Sequence, residues 1–540
     1  MNFRSIQTRA RRWNQSTILA RRVAEINAAL EKQDPAEGLS GKPVLFFNAS
    51  TRTHSLSLNA AFNLLTSYAV RARGVPVRYL VCQAGMQQCM LGTSWRKPEL
   101  NPPCRKCMKL SRSLFPKDSI IPLVKDVQRT APVEELLKPL DLPALIDWAY
   151  DGVPYGKLCI PTLRWAMRKH HLEDTPVHRN LMKKYLISAV NLRGAFQDAF
   201  EREEPRALVL FNGITYPEAI ARLTAKDFGI PVITHEVGLR PFSAFFTHQD
   251  ATFRQVRIPE SFVMGPAENA QLDRYLEQRW QGKFTMAGIQ FWPEMEALPD
   301  DLDAAIHSHE QTVVVFPNVI FDTSQVHANV LFKHMFEWLD EIISLAERHP
   351  ETLFIIRAHP DEDRPGKASR ESVTMWAEDV GAAERANIFF YKPSEYVSSY
   401  ELIRRAKFSL VYNSSIGLEA SIMGRPLICA GRGRYTQDET VHFPATLDAY
   451  RTQIEEFLAA EQLTQPAAFI QNARRFLYYE LYHASLDLSA LLEPYPGVPG
   501  YVTLPVKPIM AAIRVGTEEW KILADGILEG ADFVYPQRRL

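Results

Sequence analysis

The sequence lacks a net charge: 62 Lys and Arg residues balance 62 Asp and Glu. No global field therefore draws nucleic acid to its surface, and no nucleic-acid partner is expected. It also lacks any apolar run long enough to cross a bilayer as a helix. Residues 1–22, MNFRSIQTRARRWNQSTILARR, carry six arginines and no acid. They lack the apolar core of a secretory leader. Such a basic segment either packs on the fold or rests peripherally on anionic lipid. A cytoplasmic location follows, with the inner membrane face as the surface this helix would meet. Cysteine is scarce, at 6 of 540 residues, and without a leader disulfides are not expected.

What is present is an alternation of short apolar runs and helical patterns. KPVLFFNAS (42–50), VPVRYLVC (75–82), RALVLFNG (206–213) and PVITHEVGLR (231–240) read as buried strands, and FTMAGIQFWP (284–293) as the last of this series. After an acidic, linker-like stretch, TVVVFPN, TLFIIRAHP, NIFFYKP, FSLVYNSS and RPLICAG repeat the pattern. The expected class is α/β, with two Rossmann-like doubly wound domains facing a cleft. The expected boundaries are a helical segment at 1–40, a first domain at 41–295, a second at 312–440 and a helical C-terminal region at 441–540. A cysteine-rich insertion at 82–107 interrupts the first domain, and residues 116–205 read as mostly helical.

Three segments of the second domain should converge at strand ends. FPN ends at Asn318, RAHP contains Arg357 and His359, and SSIGLEA begins with Ser414 and Ser415. A serine-rich turn opening a helix offers N–H groups, hydroxyls and a positive dipole end to an anion. Glu419, one turn on, is placed to accept hydrogen bonds from a ribose diol. His359 could donate to a phosphate or stabilise charge on a departing one.

RAHP and SSIGLEASIMGRPL resemble the (R/K)-x-H-P and S-S-x-x-x-E-A-x-x-x-G-(K/R)-P-(L/V) segments of bacterial capsule polysaccharide synthesis proteins, within the GT-B glycosyltransferase superfamily. The resemblance implies a nucleotide-sugar donor in the second domain and a glycan or lipid-linked acceptor in the first. It implies that His359, Ser414 and Ser415 meet phosphate and that Glu419 meets ribose; Asn318 and Arg357 are expected in the same nucleotide site from their places at the converging strand ends. The donor, hexosyl or of the Kdo or sialic type, is left open. A sugar-nucleotide 2-epimerase of the same architecture and a non-catalytic scaffold of a polysaccharide system are the alternative readings.

The base for an acceptor hydroxyl should come from the first domain. THEVG (234–238) offers His235 and Glu236 as a base and its orienter at a strand end. No catalytic metal is expected, since a helix end and His359 can offset phosphate charge. Cys82, Cys89, Cys104 and Cys107 follow C-x6-C-x14-C-x2-C, a pattern that suits a structural four-thiolate zinc site, with an iron–sulfur cluster as the second choice.

Overall fold

The computed structural model describes residues 3–32, 41–49, 55–98, 100–253, 255–281, 298–364, 366–395, 397–495 and 500–536, with side chains of the first helix from Ser16 on. The strand expected at 284–293 lies outside these residues. The strands are β1 Val44–Phe47, β2 Leu56–Ser57, β3 Val77–Cys82, β4 Ile120–Leu123, β5 Ala207–Phe211, β6 Val232–Val237, β7 Ser243–Thr247, β8 Gln311–Phe316, β9 Thr352–Arg357, β10 Ile388–Tyr391, β11 Phe408–Val411, β12 Leu427–Cys429, β13 Ser485–Asp487, β14 Glu493–Pro494 and β15 Tyr501–Thr503.

A seven-stranded sheet runs β13-β7-β6-β5-β1-β3-β4, and a five-stranded sheet runs β10-β9-β8-β11-β12. The second is parallel throughout. The first is parallel from β4 to β6, and β7 and β13 then turn antiparallel. VLFF, VVVF and TLFIIR are apolar runs because both faces of a parallel sheet are covered. Alternate residues go to opposite sides: Val44 and Phe46 join one core, Leu45 and Phe47 the other. The second sheet separates two further cores in the same way.

The structure differs from expectation in four places. IIPL forms β4 inside the stretch expected to be helical. Its Pro122 is tolerated because β4 is the sheet edge. SAFFT forms β7, which pairs with β6 antiparallel and needs only a short turn. Asp300–Ser308, expected as linker, is helical. The C-terminal hundred residues are not one helical unit. The helix Ala467–Tyr482 packs on Ile416–Ile422, β13 then joins the first sheet, and β15 pairs with β2. The helices Val506–Val515 and Glu518–Leu528 finish against the first helix and Leu58–Ala72, so the chain's end returns to the first domain. Among the described residues, no helix is long and apolar enough to cross a membrane.

Direct bonds join residues 168–171 to residues 370–371, tying the part of the chain that carries the first sheet to the part that carries the second. Glu371 Oε2 accepts from the backbone N–H groups of His170 (2.6 Å) and His171 (2.9 Å), and Oε1 lies 2.5 Å from His171 Nδ1. Arg370 N–H donates to the Arg168 carbonyl at 2.9 Å. The His334 ring packs 4.6 Å from that of His171.

Candidate functional site at the strand tips

Register places the tips of the second sheet level with one another. Val411 pairs with Phe316 across β11 and β8, Val315 with Ile356 across β8 and β9. Two residues past that line come Asn318 on β8, His359 on β9 and Asn413 on β11. Asn318 Nδ2 donates to Asn413 Oδ1 at 2.8 Å, and Gln325 Nε2 reaches the same oxygen at 3.3 Å. Asn318 thus ties two strand tips. Ser414 follows directly, two strands from His359, or roughly 10 Å at ordinary strand spacing.

His359 caps the short 3-10 turn Pro360–Asp363, where its Nδ1 accepts from Asp361 N–H at 3.1 Å. That contact assigns the ring proton to Nε2, which is left as a donor. Burial pushes the imidazole below its usual range and Arg357 adds to this, while Asp361 and Asp322 oppose it. The ring is therefore neutral at pH 7.

Ser414 is buried, and its carbonyl accepts from Tyr435 Oη at 2.6 Å. Ser415 sits at the N-cap of Ile416–Ile422, but its side chain makes no capping bond. Gly417 packs against Tyr435: a Cβ there would stand 2.4 Å from Tyr435 Oη.

Two residues expected to touch nucleotide are committed elsewhere. Arg357 is buried and directs its guanidinium at the carbonyls of Ala358 (2.7 Å), Val397 (3.3 Å) and Glu395 (3.4 Å). These bonds order the β9 tip, and the guanidinium's charge still acts on His359. The buried Glu419 carboxylate is held by Arg279 Nη2 at 2.7 Å and by Tyr400 Oη at 2.5 Å. A ribose diol would have to displace both.

In the first domain, His235 and Glu236 do not act as a pair. They are consecutive on β6 and so point to opposite faces. His235 is fully buried between the rings of Phe211 and Phe246, and burial lowers its pKa to about 3. Its Nε2 lies 3.5 Å from Asn63 Nδ2. Glu236 is half-buried and accepts from Asn59 Nδ2 (3.0 Å), Asn212 Nδ2 (3.4 Å) and its neighbour Val237 N–H (2.9 Å). His248 turns away, with Nε2 3.1 Å from the Ala531 carbonyl.

The structure adds groups that sequence reading missed. A cavity of about 210 Å³ is lined by residues 157–170 and 320–329. Lys157, Arg164 and His170 face it from the first domain, and Asp322, Thr323 and Gln325 from the second. Asp322 also acts electrostatically on His359, Arg168 and Lys367, linking the cavity to the strand tips. Burial lowers the Lys367 pKa, and the cations Arg364 and Arg168 lower it further. Nearby, Asp250 Oδ2 bridges the domains, 3.0 Å from His327 Nε2 and 3.1 Å from Arg222 Nη1. Burial works against the Asp250 charge, but His327, Thr252 and Arg222 bring its carboxyl below the usual range. Glu218 is buried and accepts from Ala49 N–H at 3.2 Å and from Thr215 Oγ1, and burial raises its carboxyl to about 7. The run RKHH (168–171) is the one local sequence signal that could have pointed to a basic wall here. The rest are gathered by tertiary folding from elements far apart in sequence.

All four clustered cysteines line one apolar cavity at the end of β3. Burial raises the thiols of Cys82 and Cys89, the latter to about 12. Among the described residues, no three His, Cys, Asp or Glu side chains form a group that could hold a metal ion.

Residues 287–456 match the family model described as capsule polysaccharide biosynthesis protein. Protein FixF of Sinorhizobium fredii strain NGR234 is 23% identical over 244 residues, 43% of this chain; the chain spans half the length of that relative. Among solved structures, the β-Kdo 2,4 transferase KpsC of Thermosulfurimonas dismutans overlaps 58% of this chain and 88% of its own at 12% identity, with a TM-score of 0.34. The UDP-GlcNAc 2-epimerase of Methanocaldococcus jannaschii, in complex with UDP-GlcNAc and UDP, overlaps 81% and 98% at 10% identity, with a TM-score of 0.26. Overlaps this shallow do not decide chemistry. The matched stretch contains every strand of the second sheet together with Asn318, His359, Ser414 and Ser415, and through it this part of the chain resembles capsule polysaccharide biosynthesis proteins.

Proposed function

We propose that the protein transfers a sugar from a nucleotide-sugar donor to a surface polysaccharide or lipid-linked glycan. The observation that carries this reading is the level row of Asn318, His359 and Asn413–Ser414 at the tips of β8, β9 and β11, beside a cavity walled by both domains. Ligands of open α/β sheets bind at such carboxyl edges.

In this reading the donor phosphate lies against the Nε2–H of His359 and the hydroxyls of Ser414 and Ser415. Arg168 and Lys367 supply further positive charge as the leaving group departs. Glu236, oriented by Asn59 and Asn212, takes the acceptor proton in place of the buried His235. Glu419 and Arg357 hold the frame of the pocket. Zinc in the cysteine cavity, a cytoplasmic location and lipid contact through the basic N-terminus remain parts of the proposal.

The test is incubation of the purified protein with a panel of nucleotide sugars, with and without glycan acceptors. Transfer or slow donor hydrolysis is expected. An altered sugar without acceptor would favour the epimerase, and failure of a folded preparation to bind any nucleotide would favour the scaffold.

A further inference from the structure

The chain is neutral overall, yet its charge is unevenly placed. Residues 96–117 hold seven Lys and Arg and one acid, a net of +6, so the rest of the chain carries −6. All seven cations are exposed. Among the described residues none of the seven forms an ion pair. Exposed cations elsewhere do, as Lys138 with Glu135 and Arg451 with Glu341. Crowded like charges without partners repel one another, and an external anion relieves that repulsion.

The fold gathers these charges onto one face. The helix Cys104–Leu114 buries Leu110, Ser111 and Leu114. Its Arg105, Lys109 and Arg112, spaced i, i+4 and i+7, share the opposite side, with Lys106 beside them. Arg96 and Lys97 precede the helix on the loop from β3, and Lys117 follows it ahead of β4.

Two observations identify what this face meets. None of the seven cations lines either cavity described above, so they address a surface and not a small ligand drawn into a pocket. Leu100, 54% exposed, stands in the same stretch between Lys97 and Arg105. An acidic glycan offers no apolar layer to receive it. The headgroup boundary of a bilayer accepts both Lys or Arg and Leu, and clusters of about four to eight cations suffice to hold a protein there.

We propose that this face docks on an anionic lipid bilayer, with its cations against headgroup phosphates and Leu100 at the acyl boundary. The face is separate from the basic N-terminal segment. Its helix starts at the hollow that Cys104 shares with Cys82, the last residue of β3. Docking therefore sets the carboxyl edge of the first sheet beside the membrane. That a lipid-linked acceptor is met there rests on the transferase reading; the docking itself does not.

Sedimentation of the purified full-length protein with vesicles tests this. One set is phosphatidylcholine alone, the other phosphatidylcholine with an equal share of phosphatidylglycerol. Binding to the second set only, weakening as salt is added, is expected. The variant Arg105→Gln/Lys106→Gln/Lys109→Gln/Arg112→Gln changes only exposed side chains and should keep its melting behaviour. Its binding should fall about fivefold per cation, roughly a hundredfold or more in all. Unchanged binding would overturn the proposal. So would a loss confined to a variant with Arg4, Arg9, Arg11 and Arg12 changed to Gln, which puts the contact on the N-terminal segment. Wild type that ignores both vesicle sets, or that prefers soluble dextran sulfate to the anionic vesicles, would overturn it too. Acetylation of wild-type lysines with and without vesicles gives a readout free of any variant. Lys97, Lys106 and Lys109 should be shielded, and equal labelling would reject the docking. No readout here uses a nucleotide sugar, so failed docking and failed transfer are separate results.

Discussion

Arg279 Nη2 and Glu419 Oε1 lie 2.7 Å apart in a nearly water-free setting, joining the helix Pro266–Trp280 to the short helix behind the serine turn. Glu419 is among the residues that resemblance marks as ribose ligands, yet its carboxylate is spent on this pair and on Tyr400. Removing one partner leaves a buried uncompensated charge. Arg279→Ala should therefore destabilise the fold by about 3–5 kcal/mol, measured by urea unfolding. Replacing both partners, as Arg279→Met with Glu419→Leu, should recover much of that loss. A stable Arg279→Ala protein that loses only nucleotide binding would instead place Glu419 at the ribose.

His359 gives a different pattern. Its ring caps one short turn through Nδ1, so truncation costs little stability beyond about 1 kcal/mol for the cap. If Nε2–H meets the departing phosphate, His359→Ala should slow transfer by about 10²–10³-fold. Single-turnover rates beside melting curves separate the two effects.

Glu218 supplies a pH test. Its carboxyl is raised from 4.5 to about 7 in the folded state, chiefly by burial. The folded chain thus keeps a proton that the unfolded chain gives up. The stability this adds is full below pH 4.5 and is lost as pH rises through 7, about 3 kcal/mol in all. Glu218→Gln keeps the shape and removes the titration. Its stability relative to wild type should rise from pH 4.5 to 7 and then level off, as read by chemical unfolding at each pH.

The interdomain latch titrates in the opposite sense. Burial, with Arg164, His171 and His334, lowers His170 from 6.5 to about 3, and His334 is also lowered by burial. The groups facing it also include Glu371, whose own pKa is lowered by its bonds to His170 and His171 against the cost of burial. A depressed histidine contributes stability above pH 6.5 that is lost as pH falls toward 3. Wild type should therefore lose stability as pH falls below 6.5, and His170→Asn should show a shallower acid limb. Glu371→Ala should widen the radius of gyration in small-angle scattering at neutral pH.

Much of the fold was legible because parallel strands announce themselves as short apolar runs. Besides the two- and three-residue strands β2, β13, β14 and β15, the strands missed were two that break that rule. β4 carries a proline at an edge, and β7 pairs antiparallel after a turn. At the site, RAHP and SSIGLEA were readable because strand-end motifs are local in sequence. Which carboxylates stay free was not. Glu419 is taken by an arginine about 140 residues away, and His235 differs from Glu236 only in the face of the strand it occupies. The cavity wall of Lys157, Arg164 and His170 comes from the helix Tyr155–Met167 and the turn after it, whose approach to β8 is set by tertiary packing.

The central claim is that a nucleotide's phosphate lodges at the tips of β8, β9 and β11. Calorimetric titration of nucleoside mono- and diphosphates into wild type and His359→Ala addresses it most directly. Saturable binding to wild type, weakened at least tenfold in a variant that still unfolds cooperatively within a few degrees of wild type, is about 1.4 kcal/mol of lost phosphate contact and is the expected result. Equal affinity in both proteins, or no binding to folded wild type, would contradict it.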